Sequence, residues 1–549
     1  MLFDIRSAMS SVHPRRARLF VGRAILFFLL CGTARALGDD YLRDLHAAAM
    51  SQGYAAWGHW GPTADKYNSW VQHTNRLIPV YTFGATLDAY RGEKSVYRDA
   101  GRLQELYGRL PEATLNPHAG YFDQTDIYRL QQDLVARGKK HLIVFVFDGM
   151  DWQTTLAAAT YNAGEVPYRE GRGAGLRFLD YRGTATDYGY FVTSPHNHGT
   201  QTDVDAQSVE NVGGRIPGGY DPQRAGPNPW TPGNDSQYIT SSSDGLRHAF
   251  TDSASSATSL FSGIKTYNGA INVGPDGEPV APLARELQNE GWAIGVVTSV
   301  PISHATPACA YANNVHRDDY QDLSRDLLGR PSIANAEPLA GVDVLLGGGW
   351  GEDVEADRKQ GANFVSGNKY LSDEDRAAVD VENDGRYRVI TRTSGADGGT
   401  ALLEAAAEAA EHGHRLFGYF GVVRGHLPFR TADGGYDPLP GARRLDEEYS
   451  EAELRENPTL AEMTEAALLV LEQSDNAFWL MVESGDLDWA NHDNNIDASV
   501  GAVLSGDEAF AVVIDWVEQR KAWNETAVIV TADHGHYLVL DDPSALVPQ

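Results

Sequence analysis

Cysteine is almost missing from this chain: of 549 residues only Cys31 and Cys309 carry a thiol. A disulfide scaffold is therefore excluded, and once the N-terminal segment is removed Cys309 is left without a partner. Positive charge is short as well. Lys and Arg total 45 against 75 Asp and Glu, a formal net charge of −30. That acidity argues against a nucleic-acid partner. It also repels anions, so any anion site must bring its own positive charge, most simply as metal ions. Long apolar runs are lacking apart from AILFFLL at 24–30, which is too short to cross a bilayer comfortably. There is no internal repeat and no low-complexity tract.

What is there begins with a targeting segment. Arg15, Arg16, Arg18 and Arg23 precede or interrupt the apolar stretch, and Ala34-Arg35-Ala36 offers a small-x-small cleavage site. Residues 1–36 read as a signal peptide, so the protein is expected to be exported to the periplasm or beyond, with no membrane span after processing. Cleavage removes six Arg and one Asp and takes the net charge to about −35.

The whole chain is 42% hydrophobic and 10% aromatic, the composition of a packed core. Five apolar runs read as buried strands: 142–147, 293–298, 342–346, 478–482 and 527–531. Helical periodicity lies between them. In 458–472 Pro458 suits a first helical position, and in 507–520 Phe510, Val513, Ile514 and Val517 share a face. The pattern predicts an α/β three-layer sandwich with a large, mostly parallel central sheet flanked by helices. Residues 37–140 read as an N-terminal extension and 141–549 as the main domain. Insertions are expected at about 193–245, as a surface loop, and about 350–450, as a peripheral cap.

Chemistry gathers at the strand ends. The run TDSASSATSLFSGIKT at 251–266 places Ser253 after Asp252, where small residues open a helix whose N–H groups would favour an alkoxide or a bound anion. Asp-Ser before small residues is equally a plain helix cap. Four other strands end in Asp148-Gly149, in His304-Ala305-Thr306-Pro307, in Glu483 followed by Asp488 and His492, and in Asp533-His534. Ligands of parallel sheets bind outside the carboxyl ends of the strands, so these side chains should converge on one rim. Asp488 and His492 are four apart, on one helical face. Asp, Glu and His suit Zn²⁺; Asp, Glu and a Thr hydroxyl suit Mg²⁺.

These blocks resemble those of the alkaline phosphatases. TDSASSATSLFSGIKTYNGA at 251–270 is similar to that family's nucleophile signature, and HATPACAYANNVHR at 304–317, MVESGDLDWANH at 481–492 and VTADHGH at 530–536 are similar to its other motifs, in the same order. The resemblance covers about 140–549. It implies phosphate-monoester hydrolysis through a phosphoserine at Ser253, with small phosphorylated molecules as partners and room for a homodimer. It implies two zinc ions and one magnesium. Asp148, Asp533 and His534 would hold the zinc that touches Ser253, Asp488 and His492 the second zinc, and Asp148, Thr306 and Glu483 the magnesium. Arg317 would clamp the phosphate, with His304 and Trp489 beside it. His304 stands where family members carry Asp or His, and Trp489 where some carry Lys, which leaves the third metal open among Mg²⁺, Zn²⁺ and Co²⁺.

The pattern is broken in one place. In the family the second zinc has a further histidine well after the Asp-His pair, and His536 is the only histidine in the tail beyond that pair here. It reads as an outer group, two residues being too short a step to reach a different metal. The sequence is accordingly expected to lack a terminal strand and its ligand, as a C-terminally incomplete fragment. The rival functions are a phosphodiesterase or sulfatase on the same fold, or a non-catalytic phosphate- or metal-binding protein. A sulfatase needs a C/S-x-P-x-R setting, whereas Ser253 is followed by Ala254-Ser255-Ser256. His196-Asn197-His198 and DVENDG at 380–385 read as an exposed loop and a turn, and Trp57, Trp60 and Trp70 as core.

Overall fold

A computed structural model describes residues 41–231, 233–240, 248–444, 447–474 and 477–548. The signal-peptide expectation for 1–36 lies outside the described residues. The strands that matter here are β1 (Gly58–Trp60), β2 (Ile78–Phe83), β3 (Phe122–Asp123), β4 (His141–Phe147), β5 (Thr186–Val192), β6 (Ala293–Pro301), β7 (Val344–Gly348), β8 (Tyr387–Thr391), β9 (Arg415–Tyr419), β10 (Phe478–Ser484), β11 (Thr526–Thr531) and β12 (Leu538–Leu540). The helices are α1 (Tyr41–Gln52), α2 (Asp126–Ala136), α3 (Ser253–Ser262), α4 (Ala305–Cys309), α5 (Gly398–His412), α6 (Leu460–Leu471), α7 (Asp486–His492) and α8 (Ile496–Arg520).

Ten strands make one sheet in the order β8-β9-β7-β6-β10-β4-β11-β2-β5-β3. The seven from β8 to β11 run parallel, with Leu480 of β10 opposite Gly295 of β6 and Ile143 of β4. All five expected strands lie in this parallel block. β2 is antiparallel to both neighbours, so it runs against the other nine. The sheet is covered on both faces, which is why its strands read as continuous apolar runs. On one face Trp479 packs edge-on to Phe261 of α3 at 5.5 Å and donates to Gln131 of α2. On the other, Leu471 of α6 reaches Gly295, where a Cβ would sit 2.6 Å from it. No helix among the described residues is long and apolar enough to cross a membrane.

The structure revises several boundaries. Residues 37–140 are not an appended extension, because β2 is inserted between β11 and β5. Nor is 350–450 only a cap, since β8 and β9 widen the main sheet and α5 packs beside them. The 193–245 stretch holds short two-stranded ribbons, Asn197–His198 with Ile216–Pro217 and Thr202–Asp203 with Ser208–Val209. Pro458 stands before α6 and not inside it; Thr459 takes the cap position by forming a capping box with Glu462. α8 starts at Ile496, eleven residues earlier than its periodicity indicates, because Gly501 and Gly506 interrupt the apolar pattern. Both glycines serve close contact: a Cβ at 501 would lie 2.0 Å from Arg430 O, and one at 506 would lie 2.2 Å from the Phe147 ring.

If β2 is part of the core, Ile78→Ala, at a residue with no exposure, should destabilise the protein by about 2–5 kcal/mol in denaturant unfolding. A loss below about 0.5 kcal/mol would mark the segment as an appendage.

Candidate active site

Asp252 organises the segment around Ser253. Its backbone is extended (φ −110°, ψ 173°), and its Oδ1 accepts from Ser255 N at 3.0 Å, capping α3. Its Oδ2 accepts from Arg317 Nη1 at 3.1 Å. Burial alone would raise the Asp252 carboxyl, but Arg317 and the helix N–H groups hold it below the usual carboxylate range. One carboxylate thus performs the cap that the sequence suggested and also sets the half-buried guanidinium of Arg317 beside Ser253. Ser253 is the first residue of α3, is 1% exposed, and presents Oγ 3.1 Å from His534 Nε2.

The strand ends converge as expected. Asp148 follows β4, Glu483 lies in β10, Asp488 and His492 lie on α7, and Asp533 and His534 follow β11. His534 Nε2 is 3.2 Å from Asp148 Oδ1 and 3.4 Å from Asp533 Oδ2, and all three residues have no exposure. Both Asp148 oxygens and Asp533 Oδ2 are buried with no hydrogen-bond partner. Burial, then Asp533, Asp488 and Glu483, drive the Asp148 carboxyl well above its ordinary range. Several buried carboxylates without donors are costly unless a cation sits among them. Oxygen and imidazole donors of this kind fit zinc.

A second group, His73, Asp488, His492 and His536, places one donor atom from each residue within 4.8 Å of the others. His73 Nδ1 is 3.0 Å from Thr251 O and His492 Nδ1 is 2.6 Å from Val71 O. Carbonyls can only accept, so both Nδ1 atoms carry the proton. In the neutral imidazoles that a metal ligand requires the two Nε2 atoms would be bare; they face each other at 3.0 Å, and Asp488 Oδ1 is 3.4 Å from one and 3.3 Å from the other. Burial keeps His492 far from protonation. Two opposed lone pairs with a carboxylate between them fit a cation. His536 Nε2 meets Asp488 Oδ1 at 2.9 Å, the distance of a donor that orients the carboxylate.

His73 is the residue that the motifs do not reveal. It comes from the opposite direction to the histidine expected well beyond His534, out of the segment expected to be an extension, and joins the second group. A signal is present: His73 stands just ahead of the apolar run IPVYTF. Ligands are expected after parallel strands, but β2 is antiparallel, so its N-terminal end lies on the rim where the other strands end.

Thr306 Oγ1 and Glu483 Oε1 are buried without partners, as donors for a third ion would be, and Thr298 Oγ1 donates to Glu483 Oε2. His304 precedes α4, and its ring lies 5.8 Å from Trp489, edge to face. Burial and then Arg317 push His304 down to about 3, so it is neutral and adds no charge to an anion site. His196 Nδ1 is taken up by Asn197 at 2.7 Å and belongs to neither cluster.

Residues 233–545 match the family model described as alkaline phosphatase. The chain belongs to the alkaline phosphatase family. Its relatives include alkaline phosphatase 4 of Bacillus subtilis, 28% identical over 284 residues, or 52% of this chain and 49% of that protein. Alkaline phosphatase H of Pseudomonas aeruginosa is 29% identical over 330 residues, covering 58% and 64%. The chain thus spans about half the length of the Bacillus relative. Among solved structures, a cold-active alkaline phosphatase from Shewanella sp. covers 72% of this chain and 68% of its own, at 21% identity and a TM-score of 0.43. Asp148 and His73 both precede the matched span, so their place in the site comes from geometry alone.

His73→Ala should weaken retention of one zinc equivalent by at least about tenfold in a chelator competition, leaving the other equivalent in place. Undiminished binding of both would make His73 a bystander.

Proposed function

We propose that this alkaline phosphatase family member hydrolyses phosphate monoesters to an alcohol and inorganic phosphate through a phosphoserine at Ser253. The observation that carries this is Ser253 Oγ at the start of α3, 3.1 Å from His534 of the Asp148–Asp533–His534 cluster, directly after Asp252, whose carboxylate holds the Arg317 guanidinium. Zinc would be held by Asp148, Asp533 and His534, and again by His73, Asp488 and His492, with magnesium at Asp148, Thr306 and Glu483. Bound there, the ions would supply Lewis-acid charge, lower the pKa of the serine hydroxyl and of water, and offset the acidity of the site.

The protein's own groups bind the phosphoryl group and carry the displacement. Arg317 offers its planar fork to two phosphoryl oxygens. Asp252 keeps that fork in place and is itself kept ionised by it. The N–H groups at the start of α3 face the same anion. Ser253 Oγ forms a bond to phosphorus as the ester oxygen leaves with a proton, and water then displaces Ser253 Oγ and releases phosphate. Neutral His304 and the Trp489 ring wall the site without competing for the anion. A substrate arriving at a chain of net charge −30 depends on Arg317 and the ions for attraction. The leader at 1–36 supports export as the setting for this activity.

Ser253→Ala, loaded with zinc and magnesium, should lose at least about 10³-fold in kcat towards p-nitrophenyl phosphate while keeping its metal content. Rapid acid quench of the wild type with labelled substrate should trap phosphate on Ser253. Turnover that survives the substitution would rule out the covalent route, and phosphate binding without any turnover in the wild type would favour a binding protein.

A further inference from the structure

The outer edge of His492 carries groups that neither the metal clusters nor the serine chemistry uses. The loop 441–444 is docked on the end of α7. Asp493 Oδ2 accepts from Gly441 N at 2.7 Å and Oδ1 from Arg443 N at 2.6 Å, while Asp493 O accepts from Ala442 N at 2.6 Å. The approach is so close that a Cβ at 441 would lie 2.0 Å from Asp493 O. Arg443 is thereby fixed with Nη2 3.0 Å from His492 Nδ1. That nitrogen carries a proton committed to Val71 O and accepts nothing. The guanidinium is exposed, and among the described residues no carboxylate lies within ion-pair distance of it.

Two aromatic rings stand by the histidine pair His73 and His492, whose own rings lie 4.8 Å apart. Trp70, next to Val71, is half-buried; its Nε1 donates to His73 O at 3.2 Å and its carbonyl accepts from Asn494 Nδ2 at 3.0 Å. Its ring meets Phe250 edge-on at 6.0 Å, and Phe250, also half-buried, meets His73 edge-on at 6.3 Å. Phe250 stands three residues before Ser253. Trp57 and Trp60 are buried in the core, whereas Trp70 packs against a smaller core cluster and stays half-buried. Where two ions serve one displacement, one attends the entering oxygen and the other the leaving oxygen. Ser253 lies at the first cluster, so the alcohol portion would face His73 and His492, by which Trp70, Phe250 and Arg443 stand.

We propose that Trp70, Phe250 and Arg443 form a leaving-group subsite that selects phosphomonoesters whose alcohol carries a planar ring, the feature shared by nucleoside and aryl phosphates, and favours rings or sugars that offer hydrogen-bond acceptors to Arg443. This rests on the phosphomonoesterase reading above. The rings supply stacking faces and Arg443 supplies donors to the ring substituents.

The test compares adenosine 5′-monophosphate, phenyl phosphate and glycerol 3-phosphate on the metal-loaded full chain. The ratio of kcat/KM for adenosine monophosphate over glycerol phosphate should be about tenfold or more. Trp70→Ala and Arg443→Ala should each cut that ratio several-fold through KM, with Trp70→Phe restoring most of it and zinc content unaltered. Phenyl phosphate separates the sources: a loss confined to Trp70→Ala marks ring stacking, and a loss in Arg443→Ala only with the nucleotide marks recognition of base or sugar. A ratio near one, or ratios unmoved by all three variants, overturns the subsite. Should the wild type turn over no ester at all, the phosphatase reading fails, and the subsite is judged by calorimetry on the same proteins. Adenosine monophosphate must then bind at least several-fold more tightly than inorganic phosphate, and lose that margin in Trp70→Ala.

Discussion

The rim where the parallel strands end depends on carboxylates placed where water cannot reach them. Asp148 and Asp533 have no exposure and Asp488 only 4%, and three of their oxygens find no donor. Burial and mutual repulsion raise the carboxyls of Asp148 and Asp533, while the histidines around Asp488 hold its carboxyl low despite burial. Such a group works against folding unless positive charge arrives with it. The surrounding histidines cannot supply that charge, because burial holds His492, His534 and His536 below their ordinary range. Placed as neutral imidazoles around carboxylates, they are poor counter-ions and good ligands. The fold therefore makes its largest electrostatic demand at the one rim where cations would also attract a phosphate dianion towards an acidic protein.

The parallel half of this design is readable from the chain. Apolar runs at 142–147, 293–298, 478–482 and 527–531, each succeeded by Asp, Glu, His or Thr, place their ligands on one rim once the strands are parallel. The antiparallel part is not readable that way. His73 comes before its strand, so a rule built on residues beyond a strand's carboxyl end passes over it, and the 37–140 stretch looks dispensable. Local periodicity also hides the start of α8, since the glycines that let it approach Phe147 and Arg430 break its apolar stripe. Asp252 is legible as a cap, but its second bond, to Arg317, depends on a contact 65 residues away that no local pattern encodes.

The two ends of the described chain are tied together, and this explains how an early segment completes a late site. β1 pairs antiparallel with β12, Gly58 opposite Leu540 and Trp60 opposite Leu538. Tyr41 Oη donates to Ala545 O at 2.7 Å. Thr74 N donates to Gly535 O at 2.9 Å, directly between the two histidines that flank Asp488. His73 and His536 thus reach Asp488 from paired segments whose spacing is set by backbone hydrogen bonds. A ligand expected beyond His534 in sequence is supplied from beside it in space.

Thr74 and Gly535 show why the coupling matters for chemistry. The residue on one side of Thr74 is His73, and on the other Asn75 bonds both Ile239 O, through its N–H, and His248 Nδ1 at 2.8 Å. His73 itself leans on Thr251 O, one residue from the Asp252 cap. The backbone that positions the second cluster is therefore the backbone that leads into α3 and its nucleophile. The separation between the two clusters and the direction of Ser253 Oγ are consequences of one packed unit, so the arrangement is set by the fold before any ligand arrives.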